Sequence, residues 1–315
     1  MKKMFAFCMT AALAASVLAG CKGESKEATA GTTTAVAETQ ATSAESAGKE
    51  ETTAAPTQAA GVTKVIDIDL TDEEYAFGVD KDQPELLEQV NAFVKEIKED
   101  GTLDAICEKY FGGGEPTPVK SAALDESKDQ LLVATNAAFE PFEYMQGEDY
   151  MGIDMEIAAL LAEKLGKELV IQNMDFDAVC LSVGQHKCDI AMAGLTVNEE
   201  RTEYVTFTES YYEASQKLIT LGTDTAFDAC TDAASVEAIL SALDGSAKIG
   251  VQGGTTGQYY VEGSEDWDFD GFAVQCIPYK NGSLAVQDLI NGNVSYVIID
   301  AAPAAAITNA INAMQ

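Results

Sequence analysis

From Lys64 onward the chain alternates short apolar runs with segments of helical periodicity, which restricts it to α/β layers with largely parallel sheets. The strand-like runs are Lys64–Leu70, Leu131–Thr135, Glu168–Gln172, Asp189–Ala193, Lys248–Gln252, Val274–Tyr279 and Val294–Asp300. Between them, Leu86, Val90, Phe93, Val94 and Ile97 share one helix face. So do Ile157, Leu160, Leu161 and Leu165, and then Val236, Ile239, Leu240 and Leu243. Gly101, Gly166 and Gly245 stand where those helices should close, because glycine enters the left-handed region without strain.

The opening of the chain is of another kind. Lys2 and Lys3 precede an apolar run from Met4 to Leu18, closed by Leu18-Ala19-Gly20-Cys21. The run is too short and wrongly flanked for a membrane span, so residues 1–20 read as an export signal. The cysteine after two small residues resembles the bacterial lipobox, which makes Cys21 the acylated residue. Two or three acyl chains anchor durably where one does not. Residues 21–62 are rich in Ala, Thr, Glu, Ser, Gly and Gln and read as a disordered tether. The rest is then expected outside the cytoplasm, held to the cell membrane by its lipid (palmitate) alone.

A net charge of -33 over 315 residues excludes a nucleic-acid partner and reads as a solubilised surface. Without Cys8 and Cys21, five of the seven cysteines remain, an odd number. Cys107, Cys180 and Cys276 sit in apolar-periodic contexts as small core residues, and a Cys180–Cys188 bridge stays open. With no CxxC and a single histidine, His186, neither a metal, a cofactor nor a Cys–His nucleophile is expected.

The stretch Gly152 to Tyr212 carries the densest functional signal. An apolar strand ends in Gly194-Leu195-Thr196, and Arg201 follows five residues later, one of few cations in an acidic chain. A guanidinium beside free backbone N–H groups is how proteins hold a carboxylate. The segments GIDMEIAALLAEKLG, DIAMAGLTVNEER and FTESYY, followed by KIGVQGGTTGQYY and SYVIIDAAPAAA, resemble family 3 of the bacterial extracellular solute-binding proteins. That resemblance implies a two-lobed, type II periplasmic-binding-protein-like α/β fold closing on a free amino acid. It also implies a monomer that delivers its cargo to an ABC transporter permease.

Carried over position by position, the resemblance assigns Arg201 to the ligand carboxylate, with N–H groups of Gly194, Thr196 and Thr256. It assigns Asp300 and the Ala193 carbonyl to the ammonium, Phe139 and Phe176 to the side chain, and Asn136 and Gln252 to ligand selection. Helix capping is the competing role for Asp300. Members that bind cationic amino acids commonly carry aspartate where this chain has Asn136, which favours a neutral polar ligand. Two other readings share the fold: a cyclohexadienyl-dehydratase-like enzyme, with Glu143, Glu199 or Glu209 as acid or base, and a sensor that does not transport.

The order of segments departs from the family. IDIDLTDEEYAFGV and ELLEQVNAFVKEIKEDGTLDAICEKYFG resemble the family's ending but come first here. A connector over 113–129 then leads into LLVATNAAFEPFEYM, which resembles its beginning. The implied arrangement is a circular permutation: 63–70 docks on lobe 2, 71–220 forms lobe 1 and 221–315 forms lobe 2. The hinge is expected at Leu70 to Glu73 and at Lys217 to Thr220.

Overall fold

The computed structural model describes residues 62–264 and 269–314; the export signal, Cys21 and the tether up to residue 61 lie outside the described residues. The chain runs β1 (Thr63–Ile66), β2 (Glu73–Tyr75), β3 (Gly78–Asp80), α1 (Pro84–Glu99), α2 (Thr102–Phe111) and β4 (Gln130–Thr135). A small meander, β5 (Ala138–Phe139), β6 (Glu143–Gln146) and β7 (Asp149–Met151), leads to α3 (Ile153–Leu165), β8 (Glu168–Asn173), α4 (Asp177–Gly184) and β9 (Ile190–Ala191). Next come α5 (Glu199–Thr202), β10 (Val205–Phe207), β11 (Tyr212–Ala214), β12 (Gln216–Leu221), α6 (Ala233–Ser241) and β13 (Lys248–Gln252). The chain closes with α7 (Thr256–Glu262), β14 (Gln275–Tyr279), α8 (Gly282–Ile290), β15 (Tyr296–Asp300) and α9 (Ala301–Ala313).

Two five-stranded sheets result, ordered β1-β12-β15-β13-β14 and β10-β3-β9-β4-β8. Their centres are parallel, β13 with β14 and β15, and β4 with β8 and β9. Their other edges are antiparallel, through β1, β12, β3 and β10, so the sheets are mixed rather than largely parallel. The reason lies in the passages of the chain between the sheets, because β3 and β12 each arrive from the opposite sheet and enter against the local strand direction. The two-stranded ribbon β2–β11 lies on both passages. Lys217 to Thr220, expected at a hinge, instead pair with β15 and β1 inside the first sheet, so the return passage falls before Gln216.

Each sheet is covered by helices on both faces, which is why its central strands can be apolar throughout. In the first sheet, α8 and α9 pack against one core, including Val286, Leu289, Val297 and Ala304. On the other face, Val236 and Leu240 of α6 and Tyr260 and Val261 of α7 close over Ile249, Val251 and Ile298. The second sheet has α1 and α3 on one side, where Leu86, Val90, Phe93, Val94 and Ile97 are all buried, and α4 on the other. Gly166 closes α3 at φ 69°, with its N–H on the carbonyls of Ala162 and Glu163. Gly101, at φ 82°, joins α1 to α2. Gly245 closes no helix, since α6 ends at Ser241 with Ala242 as its cap.

Candidate functional site

The chain brings its ionic residues together where the two sheets and the β2–β11 ribbon meet. Arg201, on the short α5, is only 7% exposed. It is placed by Asn198, whose side chain caps the helix by accepting the Arg201 N–H at 2.8 Å. The guanidinium donates through Nη1 to the Thr196 carbonyl at 2.7 Å and through Nη2 to the Gly254 carbonyl at 3.1 Å. Its carbon lies 5.2 Å from the centre of the Phe176 ring, within cation–π range. Thr196 follows the second sheet's β9, whereas Gly254 leads from β13 of the first sheet into α7, so one side chain spans both. Gly254 has φ 72°, and a Cβ there would stand 2.4 Å from Asp177 Oδ1, so only glycine allows this approach.

Asp300 ends β15 and is buried, at 4% exposure. Although it precedes α9, its side chain makes no capping bond. It accepts instead the Tyr75 hydroxyl at 2.5 Å. Burial, and then the charge of Glu73, push its carboxyl up to about 7, while hydrogen bonds from Tyr75 and Gln216 work the other way. Tyr75 in turn bridges Thr196 through the backbone, so Asp300, Tyr75, Thr196, Arg201 and Gly254 form one connected chain of contacts.

Asn136 and Gln252 meet directly, Gln252 Nε2 donating to Asn136 Oδ1 at 3.3 Å. The Asn136 amide donates to the Met174 carbonyl at 2.7 Å, and Gln252 Oε1 is buried without a hydrogen-bond partner. Phe139 is buried against Gly194, where an added Cβ would come within 3.0 Å of its ring. Ala193 is buried beside it, and Thr256, also buried, opens α7 after the Thr255 cap residue. The Gly194 N–H, expected to face a carboxylate ligand, donates instead to Asp154 Oδ2 at 2.9 Å. Asp154 also accepts the Tyr211 hydroxyl at 2.6 Å, and burial raises it to about 7. This buried acid needs a donor, and Gly194 at φ 53° presents one.

Sequence reasoning overlooked Glu73, Tyr75, Asp154 and Gln216. In β2, Glu73 and Tyr75 share the buried face and Glu74 turns outward, an alternation too short to be read from the sequence. Glu143 is fully buried, with neither carboxylate oxygen hydrogen-bonded. Burial, then the charges of Asp154 and Asp300, raise it well above the ordinary glutamate range. A cavity of ≈ 550 Å³ adjoins Asp300, Tyr75, Phe142 and Tyr212, and another of ≈ 370 Å³ adjoins Arg201 and Phe176. Cys180 and Cys188 are buried free thiols. Among the described residues no group of three or more His, Cys, Asp or Glu is arranged to hold a metal.

Two helix-covered α/β sheets joined by two chain passages, with buried ionic residues between them, define a two-lobed binding protein of the type II periplasmic fold. The model of the bacterial extracellular solute-binding proteins, family 3, matches residues 5–113 and 131–301, and the chain belongs to that family. The arginine-binding extracellular protein ArtP of Bacillus subtilis is 33% identical over 99 residues, 31% of this chain and 39% of the relative. A putative ABC transporter arginine-binding protein 2 of Escherichia coli is 28% identical over 176 residues, 55% of this chain and 64% of the relative. This chain therefore spans less than two thirds of the length of either curated relative. Among solved structures, holo ArgBP from T. maritima is 31% identical over 60% of this chain and 77% of its own, with a TM-score of 0.48.

Proposed function

We propose that the chain is an extracytoplasmic lipoprotein, acylated at Cys21, that captures a free α-amino acid between two lobes and delivers it to an ABC permease without reacting with it. Lobe 2 comprises 63–70 and the chain from Gln216 onward, and lobe 1 the part between the passages. The observation that carries the reading is the pairing of a buried guanidinium, Arg201, with a buried carboxylate, Asp300, through the Tyr75 and Thr196 contacts between the sheets. Such a pair matches the two charges that every amino acid carries. Arg201 takes the carboxylate by exchanging its bonds to Thr196 and Gly254, with Thr196 and Thr256 as further donors. Asp300 and the Ala193 carbonyl take the ammonium.

The ligand side chain meets Phe139 and Phe176 and is read by the Asn136–Gln252 amide pair. Neutral amides with an unpartnered Gln252 oxygen favour a neutral polar amino acid. A cationic amino acid is the second reading, supported by the arginine-binding relatives and by the surplus of buried acids at Glu143 and Asp154. Calorimetric titration of the protein lacking residues 1–60, stripped of ligand by unfolding and refolding, against the twenty amino acids and cystine tests both. Binding at micromolar strength, about -8 kcal/mol, supports the receptor. Preference for glutamine-like ligands or for arginine decides the class, and silence from a folded sample rejects the receptor.

The monomer is also proposed to be circularly permuted, with β1 standing where the family's strand after α9 belongs. Thr63 and Asn312 support this by exchanging two hydrogen bonds, Thr63 N–H to Asn312 Oδ1 at 3.2 Å and Asn312 Nδ2 to the Thr63 carbonyl at 2.8 Å.

A further inference from the structure

Glu73 is a second carboxylate at the ammonium end of this site, and it is 5% exposed. Its Oε1 accepts from Thr71 Oγ1 at 2.5 Å and from Gln216 Nε2 at 3.0 Å, and its Oε2 accepts from Thr196 Oγ1 at 2.7 Å. These donors are neutral, and a glutamine at position 73 would meet most of them at a smaller desolvation cost, so the network alone does not call for a charge here.

Glu73 is tied to Asp300 in two ways. Gln216 lies directly opposite Asp300 in the β12–β15 register, and its amide donates to Glu73, so this one residue adjoins both acids. Tyr75, two residues beyond Glu73 on the same face of β2, donates to Asp300. The Gln216 side-chain oxygen, Oε1, is itself buried and unpartnered, so this corner of the site has spare acceptor capacity. Two buried like charges beside one amide are stable together only when a proton or a cation joins them.

The geometry points to Glu73 and Asp300 as a paired-carboxylate site for the ligand ammonium, entered by exchange of that cation for a proton held on Asp300 in the empty site. This rests on the amino-acid receptor reading. The exchange is balanced: the proton leaves Asp300 for solvent as the ammonium arrives, and the net charge of the site is unchanged. The other groups facing Asp300 do not supply the missing cation. Tyr75 and Tyr212 are neutral, Glu143 is an acid, and Lys217 is already tied to Asp67 and to Asp69 at 3.6 Å. Burial and the Glu73 charge hold Asp300 near 7, which sets the pH at which the exchange matters. The consequence for ligand class is a requirement for a free, protonated α-amine, so N-acetylated amino acids and the interior of peptides are excluded.

The test is calorimetric titration of L-glutamine and L-arginine from pH 5.5 to 8.5 in buffers of different ionisation enthalpy, with Glu73→Gln beside the wild type. Wild-type affinity should rise several-fold per pH unit up to about 7 and then level, with close to one proton released at pH 6 and almost none at pH 8.5. In Glu73→Gln, affinity at pH 8 should fall about tenfold or more. The pH at which protons are released should also move downward, because Asp300 no longer faces a like charge. Equal affinity and an unshifted profile in the variant overturn the pairing. A flat wild-type profile without proton release overturns the exchange, and that measurement stands even if the variant does not fold. If neither probe binds, the same titration is run with whichever of the twenty amino acids or cystine does, and if none binds the wild type the receptor reading fails together with this inference.

Discussion

Arg201 uses two donors on the protein's own carbonyls, Thr196 and Gly254, and it is the residue whose loss should be felt most. Arg201→Ala should weaken ligand binding by about 2 to 5 kcal/mol, because the partner carboxylate is left buried and unpaired. Arg201→Lys should restore little, since an ammonium cannot reproduce the guanidinium fork. Titration of the recognised amino acid checks both, and wild-type affinity in Arg201→Ala would remove Arg201 from the site. At the opposite end of the ligand, Asn136→Asp puts a charge against the Gln252 amide. It should raise the affinity for arginine relative to glutamine by about tenfold or more, and an unchanged ratio would show that Asn136 does not read the side chain. Arg201 and Asp300 were legible in the sequence because each breaks an apolar or acidic context. Glu73 was not, because one acid among Asp72, Glu73 and Glu74 looks like a solvated surface run until pairing with β11 turns it inward.

At the scale of elements, α5 meets α7, and the segment before α4 meets the one after β14, through contacts that need no ligand. Tyr259 on α7 donates its hydroxyl to Glu200 on α5 at 2.8 Å, and Lys280, after β14, reaches Asp175 before α4 at 3.2 Å. Both contacts are exposed at their charged ends, so each contributes only a fraction of a kcal/mol to holding these elements together. Tyr259→Phe should therefore lower affinity only two- to threefold while enlarging the average molecule in ligand-free solution. Small-angle scattering with and without ligand measures this, and an unchanged ligand-free radius would show that the contact does not bias closure. Elements of this kind were largely legible: α1, α3, α6 and the central strands follow directly from periodicity. The short strands β2, β5 and β11 were not, because strands of two or three residues carry no periodicity and are fixed by the partners they meet. The antiparallel edges were hidden for a related reason, since strand direction depends on passages between sheets, and composition holds no record of those.

For the whole molecule, the buried acids set how stability responds to pH. Asp154 and Asp300 are each raised to about 7 and Glu143 is raised well above the ordinary glutamate range, all chiefly by burial. The folded chain thus holds more protons than the unfolded chain between about pH 4 and 7, so this contribution declines as pH rises through that window. His186, raised by its hydrogen bond to Asp80, acts in the same sense, because its contribution is present below its ordinary value and lost above. The lowered acids, among them Asp67, Asp100 and Glu168, are at the surface and matter only below about pH 4. Ligand-free protein should accordingly melt highest near pH 5 and lower at pH 8, by an amount on the order of a few kcal/mol, and scanning calorimetry showing the reverse order would contradict the burial account. Chain order offers a test of the same scale. If the core contacts rather than the connectivity hold the lobes together, a chain opened within 113–129 and rejoined from the end of α9 to Thr63 should fold and bind as before. The short gap to be closed follows from the paired bonds between Thr63 and Asn312, so a few glycine and serine residues suffice as a joint. The rejoined protein should keep its affinity within about twofold and its melting temperature within a few degrees. Loss of the first sheet's stability alone would mean that β1 needs its present place ahead of β2, and the proposed permutation would then not be a simple reordering of the family's chain.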